Sequence, residues 1–155
     1  MIDAETLSRA RAGSLLQLVF RLARLADEEA VRRIAAQGGL RAQLRTAHTR
    51  LFPHIALEGT RPTEIARALG VSKQAIGQLV DDLVDMGVVE RIPDPADGRA
   101  VRVRWTALGR AGMLEGLAML GTLEAELGAV LGADALAMLH TLVTQAVAEA
   151  ERWAP

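Results

Sequence analysis

The segment VVERIPDPADGRAVRVRWT, residues 88–106, places Arg99, Arg102 and Arg104 on the far side of a run of proline, aspartate and glycine. Guanidinium groups stay charged and donate to oxyanions, so the chemistry on offer there is the holding of a polyanion. Other reactive side chains are sparse. His48 and His54 stand six residues apart, His140 lies far along the chain, and no cysteine is present to complete a metal site. Asp27, Glu28, Glu29 and Glu58 read as solvated helix faces, so no metal is expected. Ser8, Ser14 and Ser72 lack a neighbouring histidine base, and the glycines Gly109, Gly112 and Gly116 are spread through a helical pattern rather than clustered after a strand. Neither a catalytic centre nor a cofactor site is expected, and the chain does not read as an enzyme.

The elements that must carry those arginines follow from composition and spacing. Half of the 155 residues are apolar but only 3% are aromatic, so Leu, Ala, Val and Ile must build the core, and helices are favoured over a sandwich or barrel. Leu15, Leu18, Val19, Leu22 and Leu25 recur at threes and fours, predicting one long helix from about Ser8 to Ala36. Gly38-Gly39 breaks it, and a second helix is predicted from Leu40 to about Leu57, with Leu44, Leu51 and Ile55 inward and Pro53 awkward. Pro62 opens a short helix that Gly70 stops. Ser72 then caps another, which turns Ile76, Leu79, Val80, Leu83 and Val84 inward and ends at Met86-Gly87. Two short helices about a glycine turn make a helix-turn-helix.

Val88–Ile92 and Ala100–Trp105 pair as a hairpin with PDPADG as its tip, where Pro93 and Pro95 discourage further ladder bonds. The period of two puts Val101, Val103 and Trp105 on an apolar back and Arg102 and Arg104 on a cationic front. Thr106 caps a glycine-rich helix to about Leu127. Gly128 and Gly132 mark a break, and Asp134 is expected to cap a last helix ending near Trp153. The expected fold class is mainly α with a small β-hairpin wing, the winged helix-turn-helix being flanked by long helices with more apolar surface than one chain covers. A helical dimer is the simple remedy.

Charge is distributed unevenly around a formal net charge of −1. Residues 1–59 hold nine basic against six acidic residues, residues 60–112 eight against seven, and residues 113–155 one against six. Local basic sites, and not a whole-protein field, would have to hold nucleic acid, and the last segment is a poor candidate. Residues 1–13 lack the pattern of a signal peptide, and no eighteen-residue apolar stretch occurs, so a cytoplasmic protein without membrane partners is expected.

The stretch RPTEIARALGVSKQAIGQLVDDLVDMGVVERIPDPADGRAVRVRWTALGRAG, residues 61–112, resembles the winged helix-turn-helix of the MarR family of bacterial transcriptional regulators. Asp97 and Arg99 match that family's Asp-x-Arg wing motif. Thr106 and Gly109 match the Leu-Thr-x-x-Gly element that follows, with Trp105 in place of the leucine. The resemblance implies three regions: residues 1–59 for dimerisation and a candidate ligand pocket, 60–112 for DNA, and 113–155 for dimerisation. It also implies a homodimer that reads a palindrome in double-stranded DNA, and a repressor released by a small aromatic or phenolic effector bound between the dimer helices and the DNA-binding part.

On that reading the helix begun at Ser72 enters the major groove. Gln74 and Gln78 face base edges, where a carboxamide both donates to and accepts from adenine. Ser72, Lys73, Arg61, Arg102 and Arg104 contact the backbone, and Arg99 enters the minor groove, with Asp97 holding the turn or orienting Arg99. Leu15, Val19, Leu22, His48 and His54 are the candidate pocket residues. A second reading is a helical interaction or scaffold dimer whose winged part has lost DNA, for which the acidic face Asp81, Asp82 and Asp85 speaks.

Overall fold

The computed structural model describes residues 3–153, apart from the side chains of residues 7, 9–11 and 40. Helix α1 is Ala4–Ala12 and α2 is Leu15–Ala35, so the single long helix expected from Ser8 to Ala36 is corrected to two. The reason lies in Ser14, which is extended and accepts a hydrogen bond from the Gln17 amide on its hydroxyl at 3.4 Å, starting a new helix directly after Gly13. The helix expected over residues 40–57 is also corrected. It consists of a 3₁₀ turn Gly39–Gln43, a single α turn α3 at Thr46–Thr49, and a 3₁₀ turn Phe52–His54. Leu44 and Arg45 are extended, with ψ of 134° and 156°, and Pro53 cannot donate within a continuing helix. The inward positions nevertheless hold for Leu51 and Ile55, both buried, while Leu44 is half-buried.

The helix-turn-helix forms where its caps predict. In α4, Pro62–Leu69, proline takes the first turn, where its missing N–H is no loss, and the Arg61 amide donates to Glu64 at 3.0 Å. Helix α5, Lys73–Asp85, starts at Ser72, whose hydroxyl accepts from the Ala75 amide at 3.1 Å. Both helices close in the same way. Gly70 and Gly87 adopt φ of +64° and +70°, letting the Val71 amide reach the Ala66 carbonyl and the Val88 amide reach the Leu83 carbonyl. These six-to-one bonds satisfy carbonyls that a helix end leaves open, and a side chain at that φ would be strained.

The hairpin is longer than expected. Strand β1 spans Val89–Asp94 and β2 spans Asp97–Trp105, with Val89 opposite Trp105, Pro93 opposite Val101 and Asp94 opposite Asp97. The six-residue tip is thus corrected to a turn through Pro95 and Ala96. Pro93 is tolerated in the ladder because β1 is an outer strand: β2 is bridged on its other side by Thr60, which exchanges bonds of 3.0 and 2.8 Å with Val103.

Thr106 locks the hairpin and α5 to the next helix, α6 (Ala107–Leu131). Its hydroxyl donates to the Gly87 carbonyl at 2.6 Å and accepts from the Gly109 amide at 2.9 Å, while its amide donates to the Val88 carbonyl at 3.2 Å. Gly109 is required here: a Cβ would lie 1.9 Å from the Val88 carbonyl oxygen. Helix α6 passes through Gly128 without interruption and stops at Gly132, with φ of +89°. Gly132 then caps α7 (Ala133–Ala150), so Asp134 lies in the first turn and is not the cap expected of it. A 3₁₀ turn, Glu151–Trp153, follows.

The chain divides into two compact units, Met1–Leu117 and Ala118–Pro155. The core belongs to the first. Leu51, Ile55, Ile65, Ile76, Val80, Leu83, Val89, Val103 and Trp105 cluster there, and the Trp105 indole meets Phe52 edge to face at 5.0 Å and donates to the Ile55 carbonyl at 2.9 Å. Residues 40–57 therefore contribute to the core despite their irregular backbone. In the second unit Leu136 packs over Gly128, but Leu127, Val130, Leu139, Leu142, Val143 and Val147 remain exposed.

Candidate nucleic-acid interface

Helix α5 has two unlike faces. Ile76, Val80 and Leu83 are completely buried, which turns Lys73, Gln74 and Gln78 outward into solvent. Gln74 and Gln78, four residues apart, lie one turn above the other. Between them, a Cβ at Gly77 would meet open space among the described residues. The capped amino end at Ser72 leaves N–H groups free to meet an anion.

In the wing, Asp97 accepts the Arg99 amide at 3.1 Å, shaping the strand entry through the backbone and not through the Arg99 guanidinium. Arg99 is exposed, and no acidic partner for its side chain occurs among the described residues. Arg61, Arg102 and Arg104 are different. Arg104 pairs with Glu90 directly across the ladder at 2.7 Å, and Arg61 and Arg102 converge through their Nε atoms on Asp94 at 2.5 and 3.0 Å. The cationic front expected of the hairpin is therefore largely neutralised from within, leaving Arg99 as its open charge.

Sequence reasoning missed Asp94. Its side chain is fully buried, and the Arg61 guanidinium, then the Ala96 amide and Arg102, hold its carboxyl far below the usual carboxylate range against the opposing effect of burial. The available signal was the Asp-Pro pair, since aspartate in a turn readily accepts the amide two residues on, here Ala96 at 2.8 Å. Arg91 was also overlooked; it ties β1 to α5 through Asp81 at 2.8 Å.

The candidate pocket residues do not assemble. Leu15, Val19 and Leu22 are 72%, 38% and 43% exposed on α2, and His54 lines neither the cleft at His48 nor the one beside Phe20 and Arg24. His48 alone does, in a cleft of about 340 Å³ with Ala42, Gln43, Arg45, Asp82 and Met86. His48 is buried. Its Nδ1 accepts from the Arg45 amide at 3.1 Å, which leaves Nε2 to carry the proton toward Asp82 at 3.2 Å, and Arg45 pairs with the same carboxylate. Two of the three acids that spoke for a protein-binding face, Asp81 and Asp82, are paired at the surface with arginines of the same chain. Among the described residues no cluster of three metal-ligating side chains occurs, and no helix is long and apolar enough to cross a membrane.

A capped helix with an open polar face, the short helix crossing it, and a hairpin locked behind them define a winged helix-turn-helix. The comparisons agree with that class. The MarR family profile matches residues 42–100. The multiple antibiotic resistance protein MarR of Escherichia coli K12 is 37% identical over 83 residues, covering 53% of this chain and 58% of that protein, so the match spans little more than half the relative's length. The crystal structure of wild-type apo MarR from E. coli superposes with a TM-score of 0.69 at 26% identity, over 86% of this chain and 96% of that one. A structure described as the multiple antibiotic resistance repressor MarR gives 0.70 at 26%, over 86% and 94%. A transcriptional regulator of Thermotoga maritima shares the fold at 20% identity, with a TM-score of 0.64 over 88% and 94% of the two chains. The chain is thus similar to MarR family proteins in sequence over its helix-turn-helix and wing and in fold over most of its length.

Proposed function

We propose that this protein is a sequence-specific double-stranded DNA-binding transcriptional regulator, acting in the cytoplasm as a homodimer that represses from a palindromic operator until a small ligand releases it. The observation that carries the reading is the open face of α5, with Lys73, Gln74 and Gln78 solvent-exposed behind the Ser72 cap, on the same unit as the unpaired Arg99 of the wing. Gln74 and Gln78 read base edges, Ser72 and Lys73 meet phosphates, and Arg99 enters the minor groove. The bare apolar faces of α2 and α7 support a dimer. One structural relative is itself described as a repressor.

Selection of duplexes from a random pool with the purified protein tests this directly, and a single enriched palindrome is expected. Arg99→Ala should weaken binding to it at least about tenfold, about 1.4 kcal/mol, without unfolding the protein. Unchanged affinity at matched salt would remove the wing from the interface. The cleft beside His48 supports ligand control by an aromatic or phenolic compound, provided such a ligand binds the free and DNA-bound forms unequally. A compound that raises the melting temperature but leaves the DNA affinity unchanged would count against that part.

A further inference from the structure

We propose that Asp94 is the positioning residue of the wing: a buried carboxylate that clamps Arg61, at the entry to α4, and Arg102, on β2, so that the tip presents Arg99. Both oxygens are used. Oδ1 accepts the Ala96 amide at 2.8 Å and so forms the turn, while Oδ2 accepts from the Arg61 Nε at 2.5 Å and the Arg102 Nε at 3.0 Å. Pro95 between them has no amide of its own to compete.

The need for a clamp follows from the sheet. A two-stranded hairpin is marginal alone, and its only third partner among the described residues, Thr60, meets β2 at Val103. Beyond that bridge the ladder extends outward through Val101 to an exposed tip, with no further strand beside it among those residues. Arg61 supplies the missing tie: 33 residues from Asp94 in sequence, it fastens the outer half of the wing to the helix-turn-helix. Without Asp94 two guanidinium groups, each about one-third exposed or less, would face each other without the carboxylate that bridges them. The carboxyl stays ionised throughout the neutral range, because Arg61, the Ala96 amide and Arg102 hold its pKa far down. Arg61 and Arg102 then hold the wing and do not serve as phosphate contacts.

The consequence for binding rests on the DNA-binding reading above, so the test has one arm without DNA. In the full-length protein, Asp94→Ala, which removes both acceptor oxygens, should speed hydrogen exchange at the Ala96 amide at least tenfold while Val80 and Val103 stay protected. Unchanged Ala96 exchange in a folded variant would overturn the clamp. If Asp94→Ala fails to fold, Arg61→Gln carries the same measurement and the same two outcomes. In the DNA arm, Asp94→Asn should weaken binding to the selected duplex about tenfold without weakening binding to random duplex. Arg61→Ala and Arg102→Ala should each leave the slope of log affinity against log salt unchanged. A slope reduced by about one for either variant would make that residue a phosphate contact and overturn its positional role. Absence of any duplex binding by the unmodified protein at low salt would refute the DNA-binding reading, and Ala96 exchange would then decide the clamp alone.

Discussion

Helices α5 and α7 are both amphipathic in sequence, yet their apolar residues have opposite fates. Ile76, Val80 and Leu83 of α5 are wholly buried, whereas Leu142 and Val147 of α7 are 55% and 53% exposed. The first helix completes its core with residues of its own chain: Leu51 and Ile55 from the irregular segment, Ile65 from α4, Val103 and Trp105 from the wing. The second has no such closure. The winged unit is therefore stabilised by intramolecular burial, while the carboxy-terminal helices carry apolar area of the kind that a second copy covers.

The sharpest way to break that contrast is a pair of substitutions. Trp105→Ala should destabilise the protein by about 4 kcal/mol, since it removes a buried aromatic ring and leaves the Ile55 carbonyl without its donor. Leu142→Asp should leave unfolding of the winged unit unchanged but raise the dimer dissociation constant about 100-fold, about 2.8 kcal/mol, in sedimentation. A dimer untouched by Leu142→Asp would mean that α7 is not the associating surface.

Two glycines of α6 sharpen it further. Gly109→Ala forces a methyl group onto the Val88 carbonyl and should cost about 3 kcal/mol in urea unfolding. Gly116→Ala meets nothing within 4 Å and should stabilise by up to about 1 kcal/mol, the gain in helix propensity. Destabilisation at Gly116 would mean that another surface occupies that space in the assembled protein.

The smallest effect expected is an acid one. The native carboxyl of Asp94 ionises well below the ordinary value of 3.8, held there chiefly by Arg61. The unfolded chain therefore binds the proton more readily, and the carboxylate's contribution is complete above that ordinary value and lost as pH falls from it toward the native one. Urea midpoints measured between about pH 5 and pH 2 should fall less steeply for Asp94→Asn than for the unmodified protein. Parallel curves would mean that the clamp does not survive in solution.

What could be read in advance, and what could not, divides along physical lines. Ser72, Gly70, Gly87 and Thr106 were legible because a cap or a left-handed stop depends on one residue and its immediate backbone. Residues 40–57 were not, because apolar spacing alone suited a helix while the extended conformation at Leu44 and Arg45 depends on how Leu51 and Ile55 reach the core. The open polar face of α5 followed from periodicity. The engagement of Arg61, Arg102 and Arg104 did not, since no local rule says which of several nearby acids a guanidinium will choose once the chain is folded.

The joint at Thr106 has a mechanical consequence. One hydroxyl bonds both the stop of α5 and the start of α6, and Gly109 lets the start of α6 lie against the Val88 backbone just beyond that stop. A tilt imposed on the first turn of α6 would therefore be felt first at the Gly87 stop of α5, the helix that carries Gln74 and Gln78.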